Sequence, residues 1–355
     1  MNPTAILTLG IETSCDDTSV ALVAPDGTVL ALVSATKDLD HEPYGGIVPE
    51  IASRNHSLLL LPLIDSCLHK AKADWSQIRG IAVTNRPGLI GALIVGIVTA
   101  KSLSLIYKTP YLGVNHLEGH LVAPFLRDHQ YAPPDGFSYP YVALAISGGH
   151  TSLYFVESLG RYQLLGGTRD DAAGEAFDKF AKMLGLGFPG GVRLDHLSQS
   201  GKVDAYSFPR SMILEDNYEM SFSGLKSAGH RMVEDLKTKL TPAQFQAEIP
   251  NLCASFQEAI VDVLLAKLEL ATRKLRCTKV VITGGVSANS RLRSRALEWA
   301  NKKKFALVIP PLRYCTDNAA MIAYLGSLRM SQLSEQSDIN LGPSTQSWPQ
   351  DFITN

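Results

Sequence analysis

The side chains best suited to chemistry are His116 and His120, which follow an apolar stretch that predicts a β-strand. Residues four apart lie on one face of a helix, so both imidazoles can reach a single metal ion. Histidine pairs at this spacing also occur by chance. The zinc-protease pattern needs a glutamate directly after the first histidine, but Leu117 stands there and Glu118 lies about 100° further round the helix. The pair is therefore compatible with a metal site and disfavours a protease.

A third metal ligand has to come from elsewhere, and Asp317 is the best candidate. It lies in the run CTDN, at the start of an apolar stretch that predicts a helix. It can therefore either cap that helix or return to the histidines. Two neutral imidazoles and one carboxylate leave coordination positions open, and this mixed set suits iron, zinc or manganese. The residues alone do not choose among these metals.

Three glycine-rich loops predict a second kind of site. They are SGGH, GFPGG and GGVSAN, at residues 147–150, 187–191 and 284–289. Small residues let backbone amides approach phosphate or carboxylate oxygens closely. Any one loop could be an ordinary turn, whereas three of them favour a pocket for a nucleotide.

Acidic residues between the first two loops are spaced along one helix face. They are Asp171, Glu175 and Asp178. Acidic residues in a first turn, such as Asp170 and Asp171, often only complement the helix dipole. Asp178 lies two turns in, where its carboxylate could accept hydrogen bonds from ribose hydroxyls. We therefore expect Asp178 to bind the sugar of a nucleotide.

These residues are carried by a pattern of elements that occurs twice. Three short strands open the chain, and helices and strands then alternate up to Val114. A second three-strand meander begins at Tyr141 and is again followed by helices and a strand, which favours an internal duplication. The alternation predicts an α/β fold. Two such domains facing each other across a cleft resemble the actin, sugar kinase and Hsp70 architecture, which places a nucleotide in the cleft.

The predicted domain boundaries follow from the same pattern. Residues 1–127 form an N-terminal actin-like half that carries the histidines, and the C-terminal helix would complete its metal site. Residues 128–138 contain two prolines and form the linker. Residues 139–330 form the half with the glycine loops, and residues 331–355 form a tail.

Composition excludes several classes of protein. Of the 355 residues, 45% are hydrophobic and 19% are charged, as in a globular protein of two domains. The five cysteines lack CxxC spacing, which argues against a disulfide framework or a zinc ribbon. A net charge of −1 is low for a protein that binds nucleic acid on its own. Contact with a nucleic acid would therefore need a local basic patch or a partner.

Two apolar segments bear on where the protein works. The N-terminal run is too short and too poor in basic residues for a signal peptide. The stretch 89–107 is interrupted by Gly91, Gly96 and Lys101, and a membrane span needs about 20 apolar residues. We therefore expect a buried core helix there, no membrane contact and a cytoplasmic location.

Several motifs occur in an order that is typical of one family. They are GIETSCDDT, PGLIGALIVG, NHLEGH, SGGHT, DDAAGEAFDK, FPGG, FSGLK, GGVSAN and CTDNAAM, and they span roughly residues 9–326. On these motifs the chain resembles the tRNA N6-adenosine threonylcarbamoyltransferases, the TsaD family. His150 in SGGHT resembles the bacterial and mitochondrial branch. Asp17 stands where glutamate is commoner, and Ala145 and Ile146 stand where relatives usually have Leu-Val.

The resemblance implies a reaction and its sites. A threonylcarbamoyl group passes from threonylcarbamoyladenylate to N6 of the adenosine next to the anticodon, position 37, in tRNAs reading codons that begin with A, and AMP is released. The implied metal ligands are His116, His120 and Asp317, which hold one divalent ion per subunit, with Fe²⁺ favoured and Zn²⁺ as the alternative. The implied adenylate-binding residues are Ala145, Ile146, Ser147, Gly148, Gly149, Asp178, Gly191, Asp195 and Asn289.

The resemblance also implies partners. They are a TsaB-like paralogue without the metal site and a TsaE-like ATPase, with a homodimer as a further option. The apolar helices of the first half would form the partner interface. Basic residues between Arg273 and Lys304 are either a tRNA-binding patch or a solvated helix face. No general base stands out, and Glu12 and Asp17 are the candidates.

Three other functions compete with this one. A metalloprotease would need a glutamate that is not in place. An ATP-dependent sugar kinase shares the architecture but has no use for NHLEGH and CTDN, and a non-catalytic scaffold would be expected to lack the two histidines. We therefore expect a transferase in which a metal ion polarises the threonylcarbamoyl end and the glycine loops hold the phosphate.

Overall fold

The computed structural model describes residues 6–36, 38–41, 44, 46–187 and 189–347. Phe188 of the second glycine loop and the predicted tail from residue 348 onward lie outside this part of the chain. The described residues form two compact units. The second unit is Gly136–Ile309, and the first is formed by the residues up to Asp135 together with those from Pro310 onward.

The first unit is built on a five-stranded sheet in the order β3-β2-β1-β4-β5. Its strands are β1 (Leu7–Glu12), β2 (Thr18–Val23), β3 (Val29–Ala35), β4 (Ile78–Arg86) and β5 (Tyr111–Asn115). The first three pair antiparallel, whereas β4 and β5 run parallel to β1 because helices form their crossover connections. The helices before residue 136 are α1 (Asp38–His41), α2 (Pro49–Ala71), α3 (Ile90–Tyr107) and α4 (His116–Val122).

The second unit repeats this arrangement with the sheet order β10-β9-β6-β7-β8. Its strands are β6 (Tyr141–Ile146), β7 (Thr151–Ser158), β8 (Arg161–Gly167), β9 (Lys279–Thr283) and β10 (Ala306–Val308). Its helices are α5 (Ala173–Met183), α6 (Gly190–Ser198), α7 (Ser223–Lys239), α8 (Pro242–Leu275) and α9 (Ser290–Lys303). Strand β6 pairs antiparallel with β7 and parallel with β9, as β1 does with β2 and β4. The repeat confirms the predicted duplicated α/β fold.

The chain returns to the first unit after β10. Two helices follow there, α10 (Leu312–Cys315) and α11 (Ala319–Gln332). Helix α11 is almost wholly buried and packs on β1 and β4, where Gly10 and Gly326 leave room for it. The predicted second half extends to residue 330, but the observed division falls at Ile309 because the apolar side chains of α11 are buried against the first sheet.

Part of the predicted tail is also packed on the first unit. The amide of Ser337 donates to the carbonyl of Tyr111 at 2.9 Å, and the amide of Gly113 donates to the Ser337 hydroxyl at 3.0 Å. Lys101 donates to the carbonyls of Ile339 and Leu341, each at 2.7 Å. The segment therefore lies along β5 and the side of α3.

Two helices in the described part of the chain, α3 and α8, are long and apolar enough to cross a membrane by length and composition alone. Most of α8 is buried inside the second unit. Helix α3 buries side chains such as Leu93 and Ile97, while Ile94, Val98 and Leu105 are exposed. The prediction of a buried core helix is therefore right for only one face of α3.

Candidate metal site and glycine-loop site

Helix α4 begins directly after β5, and its first residue is His116. The side-chain oxygen of Asn115 accepts hydrogen bonds from the amides of Leu117 and Glu118 at 2.8 and 3.3 Å. These bonds satisfy amides that a helix N-terminus leaves unpaired, so they fix where the helix starts. The buried rings of His116 and His120 then lie close together, with centroids 4.8 Å apart.

Asp317 reaches the same place from the far end of the chain. The helix cap is its neighbour Asn318, whose side-chain oxygen accepts a hydrogen bond from the amide of Met321 at 3.0 Å. Oδ1 of Asp317 lies 3.2 Å from Nε2 of His116 and 3.3 Å from Nε2 of His120. One candidate ligand atom from each of the three residues lies within 4.8 Å of the others. The structure thus brings the three predicted metal ligands together.

Glu12, a candidate general base by sequence, lies behind His116. Its Oε2 is 3.0 Å from Nδ1 of His116. Its carboxylate also accepts hydrogen bonds from the Ser14 amide at 2.6 Å and the Thr84 hydroxyl at 2.5 Å, and the residue is only 1% exposed. A carboxylate on the far nitrogen of a histidine fixes the ring and leaves Nε2 for a metal ion. Glu12 is therefore placed to orient His116.

The ionisable groups at this site shift one another's pKa values. Burial acts to lower the pKa of His116, but the carboxylates of Asp317 and Glu12 outweigh it and raise that pKa well above its usual value. Burial also opposes ionisation of Asp317, yet the two histidines hold its pKa well below the usual range. For His120 burial dominates and lowers the pKa. The two carboxylates thus favour one positive charge here, whether a proton or a metal ion carries it.

The donor set fits a divalent metal ion. Two imidazole nitrogens and one carboxylate oxygen are ligands that iron and zinc accept, and three protein ligands leave positions open for a substrate. In addition, Nδ1 of the buried His120 has no hydrogen-bond partner among the residues that the structure describes. A buried polar atom without a partner costs free energy, and a ligand from outside the chain would offset that cost.

Two glycines allow close packing around the first and third glycine loops of the second unit. A Cβ on Gly284, whose φ is +87°, would lie 2.4 Å from the carbonyl oxygen of Ile146. A Cβ on Gly174, at the start of α5, would lie 2.6 Å from the carbonyl oxygen of Ser147. The first loop therefore packs directly against α5, and the third loop packs against the end of β6, next to the first loop.

Gly148 and Gly149 have a different environment. Both are exposed, and a Cβ at either position would meet no described atom within 4 Å. The amide of Ser147 donates to the carbonyl of His150 at 2.7 Å and closes the turn around them. Packing within the described chain therefore gives no reason for glycine at these two positions, whereas close approach of an anionic ligand does.

Asp178 holds the second glycine loop. Its Oδ1 accepts a hydrogen bond from the amide of Gly191 at 2.8 Å. The side chain is half-buried, and burial raises the pKa of its carboxyl. A carboxylate offers about four acceptor positions, so the same group can also accept hydrogen bonds from a sugar.

Asp195 and Asn289 lie where the third loop contacts α6. The carboxylate of Asp195 accepts hydrogen bonds from the amide and the hydroxyl of Ser290 at 3.0 and 2.7 Å. The side-chain oxygen of Asn289 caps α9 by accepting from the Leu292 amide at 2.9 Å, and its amide donates to Gln257 at 2.6 Å. Both side chains therefore have structural roles in addition to the predicted contact with an adenylate.

Two buried hydroxyls beside the third loop went unnoticed in the sequence. Oγ1 of Thr283 and Oγ of Ser287 have no hydrogen-bond partner among the described residues. Thr283 directly precedes the GGVSAN motif and Ser287 lies within it, so the only signal was their closeness to that motif. Each hydroxyl therefore has hydrogen-bonding capacity that the described residues leave unused.

The acidic start of α5 has a role that the sequence did not indicate. The carboxylate of Asp170 accepts hydrogen bonds from the amides of Phe222 and Ser223 and from the hydroxyls of Ser221 and Ser223. Asp171 pairs with Lys226 at 2.7 Å. These contacts tie the DDAAGEAFDK motif to the FSGLK motif, which explains both acids better than the helix dipole alone.

Many of the basic residues between Arg273 and Lys304 are paired with acids. Arg291 and Arg295 both bind Glu258. Two further pairs are Lys274 with Asp216 and Lys303 with Glu269. Much of the positive charge of this region is therefore neutralised within the chain.

Comparisons with known proteins match the chain to one family. The family model described as tRNA N6-adenosine threonylcarbamoyltransferase, TsaD, matches residues 28–324. The tRNA N6-adenosine threonylcarbamoyltransferase of Bdellovibrio bacteriovorus is 65% identical over 344 residues, which cover 97% of this chain and 98% of that protein. The enzyme of the same name from Syntrophus aciditrophicus is 44% identical over 98% of both chains.

Solved structures show a likeness in fold. Full-length HypF, in its phosphate- and nucleotide-bound form, matches 93% of this chain and 56% of its own with a TM-score of 0.59 and 13% identity. The (R)-2-hydroxyglutaryl-CoA dehydratase component A of Acidaminococcus fermentans matches 92% of this chain and 99% of its own with a TM-score of 0.52 and 17% identity. At these identities the likeness concerns the fold alone.

Proposed function

Because the chain belongs to the tRNA N6-adenosine threonylcarbamoyltransferase family, we propose that it performs this transfer with a metal ion in the first unit and the adenylate in the second. The reaction moves the threonylcarbamoyl group of threonylcarbamoyladenylate to N6 of adenosine 37 in tRNAs reading codons that begin with A. A carbon–nitrogen bond forms at the carbamoyl carbon, the bond from that carbon to the phosphate oxygen breaks, and AMP leaves.

The observation that carries the metal proposal is the convergence of His116, His120 and Asp317 within 4.8 Å. A metal ion held there by these three residues would supply a Lewis acid for the carbonyl of the threonylcarbamoyl group. Fe²⁺ is favoured by the resemblance to the family, and Zn²⁺ is the alternative, since both accept this donor set. The chain's own part is to hold the ligands, and Glu12 does this for His116.

The attacking amine also has to lose a proton. Glu12 is unsuited to take it, because its carboxylate is buried and engaged by His116, Ser14 and Thr84. Burial acts against the charged form of Glu12, but His116 lowers the pKa of this carboxyl, which weakens it as a base. Of the two residues that the sequence offers, Asp17 is the remaining candidate.

We assign the adenylate to the glycine loops of the second unit. The amides of Gly148 and Gly149 would bind the phosphate, and Asp178 and Asp195 would accept hydrogen bonds from the sugar. Support comes from Gly148 and Gly149, which no packing contact among the described residues requires to be glycine. The full set of proposed contacts is Ala145, Ile146, Ser147, Gly148, Gly149, Asp178, Gly191, Asp195 and Asn289.

A partner surface is assigned to the exposed apolar side of α2 and α3. Its residues are 43 to 70% exposed, and they are Leu58, Leu61, Ile94, Val98 and Leu105. The two helices pack against each other, and apolar surface of this kind typically marks a protein–protein interface. A TsaB-like paralogue is the proposed occupant, and a homodimer is the alternative. A TsaE-like ATPase would complete the complex, which would work on tRNA in the cytoplasm.

The test is transfer by the purified protein, with its expected partners, from threonylcarbamoyladenylate to unmodified tRNA, followed by mass spectrometry of the nucleosides. We expect a threonylcarbamoyladenosine peak that disappears when the metal is chelated. The variant H116A/H120A should lack both this peak and the bound metal. The matched control is H129A/H230A, which removes two exposed histidines and should retain both. Full transfer by H116A/H120A would refute the metal proposal.

A further inference from the structure

Helix α4 carries a polar side chain that the metal proposal does not use, Glu118. It follows His116 by two residues and precedes His120 by two, so it lies about 200° round the helix from each. It therefore faces away from the ligands, and it is only 2% exposed. A carboxylate buried this deeply needs a charged or hydrogen-bonding partner.

Its partner is Arg329, on α11. Nε of the guanidinium donates to Oε1 of Glu118 at 3.0 Å, and Nη2 donates to Oε2 at 2.9 Å. Arg329 is itself 5% exposed, and its Nη1 donates to the carboxylate of Glu335 at 2.7 and 2.8 Å. Two parallel hydrogen bonds of this kind fix the plane of a carboxylate as well as its distance. We call this contact the Glu118–Arg329 fork.

The fork joins the two helices that position the proposed metal ligands. Helix α4 carries both histidines, and α11 begins two residues after Asp317. Gly119 brings the helices close, since a Cβ there would lie 3.1 Å from Met321 and Ile322 of α11. With seven residues, α4 is too short to be stable by itself. Its orientation therefore depends on such contacts.

Stability alone does not explain an ion pair at this depth. Removing two charges from water is costly, and apolar replacements of buried pairs are often equally stable or more stable. A fork does, however, specify one rotation of α4 about its axis. A rotation of about 20° moves an atom about 6 Å from the axis by about 2 Å, whereas metal–ligand distances tolerate only about 0.2 Å.

We propose that Glu118 and Arg329 are positioning residues of the metal site, whose fork sets the rotation of α4 and so holds His116 and His120 at ligand distance from Asp317. Glu335, which is more exposed, forms an ion pair with the remaining nitrogen of the guanidinium, Nη1. The inference rests on the proposed metal site, because it concerns how that site is held.

The test uses the full chain with Co²⁺ as the probe. The variant E118Q keeps the shape of the side chain and removes its charge. We expect the affinity for Co²⁺ to fall about 10-fold. This is the lower end of the loss in metal affinity seen when residues that support metal ligands are mutated. The absorption spectrum of bound Co²⁺ should also change, because the spectrum reports ligand geometry. Affinity is measured by competition with a chelator, alongside the midpoint of chemical unfolding.

Two further variants separate positioning from stability. E258Q breaks a matched fork in the second unit, where Arg291 donates from Nε at 2.6 Å and from Nη2 at 3.0 Å to a Glu258 carboxylate that is also buried. It should lower the unfolding midpoint and leave Co²⁺ binding unchanged. The double variant E118M/R329M removes both charges, so it should regain stability without regaining the parent's Co²⁺ affinity or spectrum.

Each outcome decides between the two proposals. Parent-like affinity and spectrum in E118Q would overturn the positioning role and leave the metal site standing. A double variant that regains stability and affinity together would also overturn it, because the fork would then be merely structural. If the parent binds Co²⁺ no better than H116A/H120A does, the metal site itself fails and the inference falls with it.

Discussion

The two units carry the proposed chemistry with different kinds of group. The metal site of the first unit consists of side chains that are held by other side chains, as Glu12 holds His116. The glycine-loop site of the second unit consists largely of backbone, and the residues that shape it most, Gly174 and Gly284, have no side chain. The difference follows from the ligands, because a metal ion needs lone pairs at fixed distances whereas phosphate oxygens accept hydrogen bonds from amides. The first site should therefore be sensitive to changes of charge and the second to added volume.

The largest effect is expected from Asp317→Asn, which removes a charge at the metal site. Loss of the Asp317 carboxylate should lower the rate of transfer by more than about 100-fold. A residue that only hydrogen-bonds to a metal ligand costs at most about that much, and Asp317 is proposed to bind the metal directly. The affinity of the glycine loops for AMP should stay unchanged. Single-turnover transfer and equilibrium binding of AMP measure the two. If the rate of transfer and the affinity for AMP fell equally, the two sites would not be independent of each other.

A smaller effect is expected from Glu12→Gln. The amide keeps the shape but orients the His116 ring less firmly, so metal affinity should fall by about 10- to 100-fold. Chelator competition measures this fall, with Glu157→Gln as the control because Glu157 is a half-exposed residue of β7 in the other unit. Unchanged metal affinity in Glu12→Gln would mean that the contact with His116 has no bearing on the metal.

Added volume tests the other side of the comparison. Gly149→Ala places a methyl group where the described structure has room, so folding should be unaffected while the KM for threonylcarbamoyladenylate rises about 10-fold, equivalent to about 1.4 kcal/mol. Gly174→Ala places the same group against the Ser147 carbonyl, so it should also lower the free energy of unfolding by about 1 to 3 kcal/mol. Steady-state kinetics and chemical unfolding distinguish them. A parent-like KM in Gly149→Ala would remove the main support for the loop site.

The smallest effect on activity, but a clear one on stability, is expected from Asp128→Asn. Burial opposes ionisation of Asp128, but hydrogen bonds from Tyr314, Gln130 and Arg313 outweigh it and lower the pKa of the carboxyl to about 2. Since the unfolded value is about 3.9, this stabilisation is present above about pH 4 and is lost as the pH falls towards 2. The variant should be less stable by about 1 to 3 kcal/mol at pH 7.

The pH dependence is what makes this last prediction specific. The difference in unfolding free energy between the parent and Asp128→Asn should shrink steadily when urea unfolding is repeated at pH 4 and pH 3. A constant difference would assign the loss to packing. A difference that shrinks as the pH falls would show that the charge of Asp128 stabilises the first unit at a place outside the metal site.

Local patterns in the sequence were enough to predict the repeated elements and the histidine pair. The choice for Asp317 was not local, because it and Asn318 are both good capping residues and only the structure shows that Asn318 is the cap. The C-terminal helix was predicted to complete the metal site of the first half, but it was still counted within the second half, because its apolar residues would suit either sheet. A separation of 197 residues between His120 and Asp317 is invisible to any short window.

The roles of the buried carboxylates could not be predicted for a related reason. The partner of an acidic side chain is set by tertiary packing, and Glu118 meets Arg329 across 211 positions. The exposed side of α3 could not be predicted for a different reason. A helix that is apolar all round carries no polar face in its sequence to show which side is left uncovered.

The first unit is assembled from both ends of the polypeptide, and this sets the order of events on the ribosome. Residues 136–309 form a unit without interruption, so they can fold while the chain is still being made, as domains generally do during synthesis. His116 and His120 have emerged by then, but the third ligand has not. A nascent chain halted before Pro310 would thus have every glycine loop but not Asp317, so a metal ion at the proposed site would have to be loaded after Asp317 is made.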